Sequence, residues 1–245
     1  MGKIILIGGE KGGTSKTTTA VNLAALCALA GKDVLLVDTD RQESASTWAA
    51  TRAMTRAEQG LAPDMTCVAK TGKVGYDLEQ LSHKYDVVIV DSGGRDSIEL
   101  RQSMAVCDFM LILSRPSQFD TWSLDKMALL LKDVEEKVGS KIPAKVLLSA
   151  ASPNPVVKEA DELRALLASD YAEDFGTMVS QTTDRIAYRR AARNGLSVME
   201  LGRSQQDQTA MDEVQRLYKE VFDEQWTPAK EQKVASTHRQ QAGEA

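Results

Sequence analysis

The chain has 245 residues, of which 42% are apolar and 27% charged, with 16 Gly, 6 Pro and a formal net charge of -5. These values exclude collagen-like, low-complexity and wholly disordered chains and leave room for a sizeable core in one or two domains. The acidic balance also argues against a uniformly basic, DNA-coating surface, so any nucleic-acid contact must come from a local patch.

From the N-terminus, residues 3–8, 33–38, 87–91, 109–113 and 145–150 are short runs dense in Val, Ile and Leu, bounded by turn residues or charges. Such runs suit strands buried on both faces of a parallel sheet. Between and after them, helical patterns cover residues 16–30, 44–59, 76–84, 121–137, 156–168 and 207–226. Repeated strand and helix predict an α/β fold: a doubly wound, mostly parallel sheet with helices on both faces. The expected organisation is one domain over residues 1–226, with residues 227–245 a polar, disordered tail. Cys27, Cys67 and Cys107 are odd in number and contain no C-x-x-C pair, as in a reduced, cytoplasmic protein. The N-terminal apolar run is too short for a signal peptide, and no later run reaches membrane-spanning length.

The most informative segment follows the first strand: Gly8-Gly9-Glu10-Lys11-Gly12-Gly13-Thr14-Ser15-Lys16-Thr17-Thr18. Binding a nucleotide phosphate calls for backbone N–H groups, the close approach glycine permits, a helix N-terminus and a cation. All four are here. In a phosphate loop Lys16 reaches the β- and γ-phosphates, the Thr17 hydroxyl coordinates Mg²⁺ and Thr18 donates to an earlier phosphate. Ser15 stands where the usual G-x-x-x-x-G-K-[ST] pattern has glycine.

Lys11-Gly12-Gly13-x-x-Lys16-Thr17 resembles the deviant Walker A motif of the ParA/MinD superfamily. The likeness implies a P-loop ATPase in which Gly12, Gly13, Thr14, Ser15, Lys16, Thr17 and Thr18 hold ATP. It further implies that Lys11 reaches across an ATP-dependent homodimer to the partner's nucleotide. The second strand ends Asp38-Thr39-Asp40-Arg41-Gln42, similar to the family's D-x-D-P-Q segment with Arg41 in place of proline. By that match Asp40 orients the attacking water and Asp38 supports the Mg²⁺ shell. The run 86–91 has the form of a Walker B strand, whose terminal Asp91 would hold Mg²⁺ directly or through water. Residues 92–97 form a loop beside the γ-phosphate, residues 116–120 resemble a P-x-x-x-D loop ending at Asp120, and an adenine pocket is expected near residues 149–155.

Residues 185–203 carry Arg185, Arg189, Arg190, Arg193 and Arg203 against the single acid Glu200. Arg189 and Arg193, one helical turn apart, share a face with Arg190 beside them. The segment is similar to the region that forms a DNA-binding face in ParA-type proteins, where phosphate contacts are sequence-independent and salt-sensitive. The resemblance implies a small partition-type ATPase without a helix-turn-helix domain. It would be cytoplasmic and nucleoid-associated, bind non-specific DNA as an ATP-bound dimer, and be released by a ParB-type or other cargo adaptor. The C-terminal residues lack the amphipathic periodicity of a membrane-surface helix, so no membrane partner is expected. Two alternatives remain: positioning of a protein cargo (a chemotaxis, flagellar or microcompartment assembly), and a metabolic or iron–sulfur P-loop enzyme. Residues 92–97 offer no cysteine for the latter's cluster.

Overall fold

The computed structural model describes residues 1–59 and 65–229. Among these, seven strands form one sheet: β1 Lys3–Gly8, β2 Val34–Asp38, β3 Thr66–Ala69, β4 Val87–Asp91, β5 Phe109–Ser114, β6 Ala144–Ala151 and β7 Gly176–Thr183. Eight α-helices alternate with them: α1 Lys16–Leu29, α2 Ser44–Gln59, α3 Gly75–Ser82, α4 Ile98–Val106, α5 Gln118–Val138, α6 Glu159–Asp170, α7 Ile186–Arg193 and α8 Gln208–Phe222. The strand order is β3-β2-β4-β1-β5-β6-β7, and every pairing is parallel. No helix among the described residues is long and apolar enough to cross a membrane.

Alternation along each strand divides the apolar side chains between two cores. Ile5, Ile7, Leu36, Ile89 and Leu111 pack under α1, α2, α7 and α8, while Ile4, Leu6, Val37, Val90 and Ile112 pack under α3, α4, α5 and α6. The central strands are buried on both faces because helices cover both, which is why they read as continuous aliphatic runs. β1 lies between β4 and β5. The chain winds outward in both directions from this point, so the C-terminal end of β1 opens into the crevice where such sheets receive ligands.

Three elements escape the sequence pattern. β3 has four residues at the sheet edge, all at least partly exposed. β7 is the other edge strand and is mostly polar, with Met178 and Val179 its only bulky apolar residues. α4 is polar along much of its length, and its Ser97 cap accepts a hydrogen bond from the Leu100 N–H. The expected helix over 207–226 stops at Phe222, where Asp223 turns into the left-handed region at φ 55°. Trp226 then folds back, its indole N–H donating to the Leu26 carbonyl at 2.9 Å. Residues 118–120, expected in a loop, form the first turn of α5, and the Asp120 side chain lies outside the described residues. So does most of the expected tail, residues 230–245.

Candidate nucleotide site

The loop between β1 and α1 crosses the C-terminal end of the sheet. A Cβ on Gly9 would press to 3.1 Å from the Leu113 carbonyl oxygen of neighbouring β5, so glycine lets the chain leave the sheet here. Gly13 lies at φ 78°, and Ser15 at φ 65°, ψ 24° caps α1 in the left-handed region. Thus Ser15 occupies a backbone geometry that favours the glycine of the general pattern. β6 anchors the loop: the Ser149 hydroxyl donates to the Thr14 carbonyl at 2.8 Å.

Lys16 and Thr17 line one cleft, with Asp91 buried behind Thr17. The Lys16 ammonium, only 8% exposed as a residue, donates to the Lys11 carbonyl at 2.8 Å. Burial holds its pKa below the usual lysine value, against the opposing pull of Asp91 and Asp40. The Thr17 hydroxyl donates to Asp91 Oδ2 at 2.7 Å, whereas Asp91 Oδ1 is buried with no hydrogen-bond partner among the described residues. Burial pushes the Asp91 carboxyl up to about 7, with the Thr17 hydrogen bond opposing and the Asp38 charge reinforcing the shift. An orphaned carboxylate oxygen beside a threonine hydroxyl, at a helix N-terminus, fits a hard divalent cation carrying phosphate.

Asp38 is paired with Asp91 in register across β2 and β4. Its Oδ1 accepts the Asp40 N–H at 3.1 Å and its Oδ2 the Ser46 N–H at 2.8 Å, so it organises the turn that starts α2. Asp40 itself lines the cleft, its Oδ1 accepting the Gln42 N–H at 3.0 Å. The cleft holds about 750 Å³ and is further lined by Gly12, Gly13, Arg41, Gly94, Arg95, Asp96 and Glu99. Lys11 lies off this lining, in a smaller hollow with Arg115, Pro116, Ala150 and Ser152. A groove on the far side of Ser15 and Thr18 is lined by Arg115, Ala150, Thr182, Asp184, Arg185 and Arg189. Asp184 was not foreseen; its signal in the sequence is a carboxylate immediately following a run of small polar residues.

The arginine segment divides. Arg185 is half-buried, its Nε donating to the buried Glu213 at 3.2 Å and its Nη1 lying 3.6 Å from Asp207. Arg189 pairs with Asp184 at 2.7 Å at the edge of the groove. Arg190 and Arg193 are exposed, and no ion pair holds either among the described residues. Glu200, the segment's acid, is withdrawn into a buried bidentate pair with Arg52 of α2, at 2.7 and 2.8 Å. The unpaired basic face therefore consists of Arg190 and Arg193, with Arg185 turned to the buried Glu213 and Arg189 in an exposed pair with Asp184.

Comparison with known proteins gives the family and the fold. A family model for the CobQ/CobB/MinD/ParA nucleotide-binding domain matches residues 5–198. The chain is 32% identical over 212 residues to the maintenance of carboxysome distribution protein A of Gloeobacter kilaueensis, covering 81% of this chain and 84% of that one. It is 28% identical over 153 residues to Protein ParA of Rhizobium radiobacter, covering 61% and 65% respectively. Among solved structures, the Cyanothece McdA(D38A)–ATP complex superposes with a TM-score of 0.67 at 17% identity, over 88% of this chain and 96% of that one.

Proposed function

From the premise that the chain belongs to the CobQ/CobB/MinD/ParA nucleotide-binding family and is an ATPase, we propose that it positions a large cellular cargo by an ATP-driven cycle of dimerisation and DNA binding. The observation that carries the reading is the division of the loop lysines. Lys16 lines the cleft with Thr17 and Asp40, above the buried Asp91, while Lys11 lines an adjoining hollow that shares only Gly12 and Gly13 with it. A lysine placed outside its own cleft is suited to meet the nucleotide of a second copy, so ATP joins two chains.

In this reading the N–H groups of residues 12–18 and the Lys16 ammonium hold the phosphates. Thr17 and Asp91 would hold Mg²⁺, with Asp38 fixing the loop that carries Asp40. When bound, Mg²⁺ neutralises charge on the β- and γ-phosphate oxygens. Asp40 orients the water for attack, and the groove beside Thr18 receives the nucleoside. Dimerisation sets two pairs of Arg190 and Arg193 on one surface. Contacts too weak singly then bind DNA together, and hydrolysis separates them.

For the cargo, the likeness to a carboxysome distribution protein over 81% of this chain favours a protein assembly. A DNA replicon with a ParB-type adaptor is the second reading, favoured by the match to Protein ParA. DNA retention by the pure protein, measured with ATP, ADP or no nucleotide across a salt series, tests the shared mechanism. Retention should require ATP, ignore sequence and fall steeply with salt; equal retention in all three states would overturn it. Asp40→Ala should retain DNA with ATP and fail to release it, so release at the wild-type rate would remove Asp40 from its role. Deleting the gene and imaging the cell separates the cargoes: clustered protein bodies support the first, plasmid loss the second.

A further inference from the structure

The cleft brings together more positive charge than Lys16 supplies. Arg41 and Arg95 both line it, following the loops after β2 and β4, opposite the carboxylates of Asp40, Asp96 and Glu99. These acids are mostly committed elsewhere. The Arg101 fork donates to both Asp96 oxygens, at 2.7 and 2.8 Å, and Glu99 accepts the Gly72 N–H at 2.8 Å. Glu99 is held below the ordinary carboxylate value first by that hydrogen bond, with the Arg41 charge contributing. Arg95 differs from Arg41 in that respect. It is exposed, and among the described residues no hydrogen bond or ion pair holds its guanidinium.

The backbone places this uncommitted cation beside the phosphate loop. A Cβ on Gly94 would come to 2.9 Å from the Gly12 nitrogen and 3.0 Å from the Lys16 ammonium. Gly94 therefore rests on the same N–H and ammonium groups that would hold a terminal phosphate. Arg95 follows one residue later, its Cα about 3.8 Å along the chain. Its other neighbour, Asp96, is tied to Arg101, which is also paired with Asp133 of α5. The loop is thus moored through Asp96, and the long Arg95 side chain, which also lines the cleft, is left without such a tie.

We propose that the Arg95 guanidinium binds the terminal phosphate of ATP held by its own chain and neutralises the charge developing there during hydrolysis. This rests on the nucleotide reading given above and adds a cation to those the phosphate loop supplies. In the step, water's oxygen bonds to the terminal phosphorus as the bridging P–O bond breaks. The electron pair leaves on ADP, and the water's protons divide between the released phosphate and solvent. A planar guanidinium can bridge two phosphate oxygens at once, which an ammonium does not do.

Titrations of the full chain in Mg²⁺, with ADP and with an ATP analogue bearing a non-hydrolysable β–γ bridge, test the assignment alongside single-turnover hydrolysis. Arg95→Ala should lower affinity for the analogue about 10-fold while leaving ADP affinity unchanged, and slow hydrolysis on the order of 100-fold. Arg95→Lys should recover part of the affinity and little of the rate. An unchanged ratio of the two affinities would overturn the proposal, as would a loss seen only at concentrations where two copies associate. A wild-type chain that binds neither nucleotide would instead overturn the underlying reading.

Discussion

Ser15 shows how one residue can sit in tension with its own loop. Its left-handed backbone is one that L side chains adopt at a cost of about 1–2 kcal/mol, and its hydroxyl makes no capping hydrogen bond in return. Ser15→Gly should therefore raise the stability of the nucleotide-free protein by about 0.5–1 kcal/mol, after allowing for glycine's greater freedom in the unfolded chain. Urea unfolding measures this directly; an unchanged or lower midpoint would show that the loop is not strained at Ser15. Gly195 is the reverse case. At φ 63°, a Cβ there would lie 2.2 Å from the Arg52 nitrogen, so only glycine lets the turn after α7 touch α2. Neither consequence was visible in the one-dimensional pattern, because φ and close approach are set by neighbours distant in the chain. What could be read was composition: Gly, Lys and Thr in the order a phosphate cradle requires.

At the scale of elements, α2 joins the nucleotide cleft to the arginine helix. Its first turn is held by Asp38 through the Ser46 N–H, and farther along Arg52 binds both Glu200 and the Gly195 carbonyl. Thr55 donates to the Asn194 carbonyl at 2.8 Å. Glu200, the single acid of the arginine segment, thus holds α7's exit loop against α2. β7 illustrates a different problem, since an edge strand exposes backbone groups that invite pairing with another chain. Here Arg164 donates to the Met178 and Val179 carbonyls, while Glu220 of α8 accepts the Val179 and Ser180 N–H groups at 2.8 and 2.9 Å. Burial alone would raise the Glu220 pKa, but the hydrogen bonds from Ser180 and Val179 outweigh it and hold the value below normal. A depressed carboxyl contributes stability above its unfolded pKa of about 4.3 and loses it as pH falls through the lower folded value. Glu220→Gln should thus destabilise the protein by about 1–3 kcal/mol near neutrality, and the difference from wild type should shrink below about pH 4. Unfolding curves from pH 3 to 7 check this, and a pH-independent difference would remove the charge from the explanation.

For the whole molecule, the net charge of -5 conceals a local arrangement that the sum does not express. Arg185 is answered by the buried Glu213 and Arg189 by the exposed Asp184, leaving Arg190 and Arg193 without a paired acid among the described residues. If these form the DNA grip of a dimer, Arg190→Ala with Arg193→Ala removes up to four phosphate contacts. The slope of log affinity against log salt should then fall by about 2–4, at about 0.9 per contact. An unchanged slope would place the DNA face elsewhere. The α/β class, the phosphate loop and the strand-end carboxylates were determined by sequence alone, because central parallel strands must be aliphatic and phosphate binding restricts residue types locally. Tertiary structure decided which charges remain available. It drew Glu200 inward, turned Arg185 and Arg189 toward acids, and set Gly94 against the loop so that Arg95 faces the cleft. Ion pairing depends on distance in space, and residues such as Arg52 and Glu200, 148 positions apart, meet only when the fold brings them together.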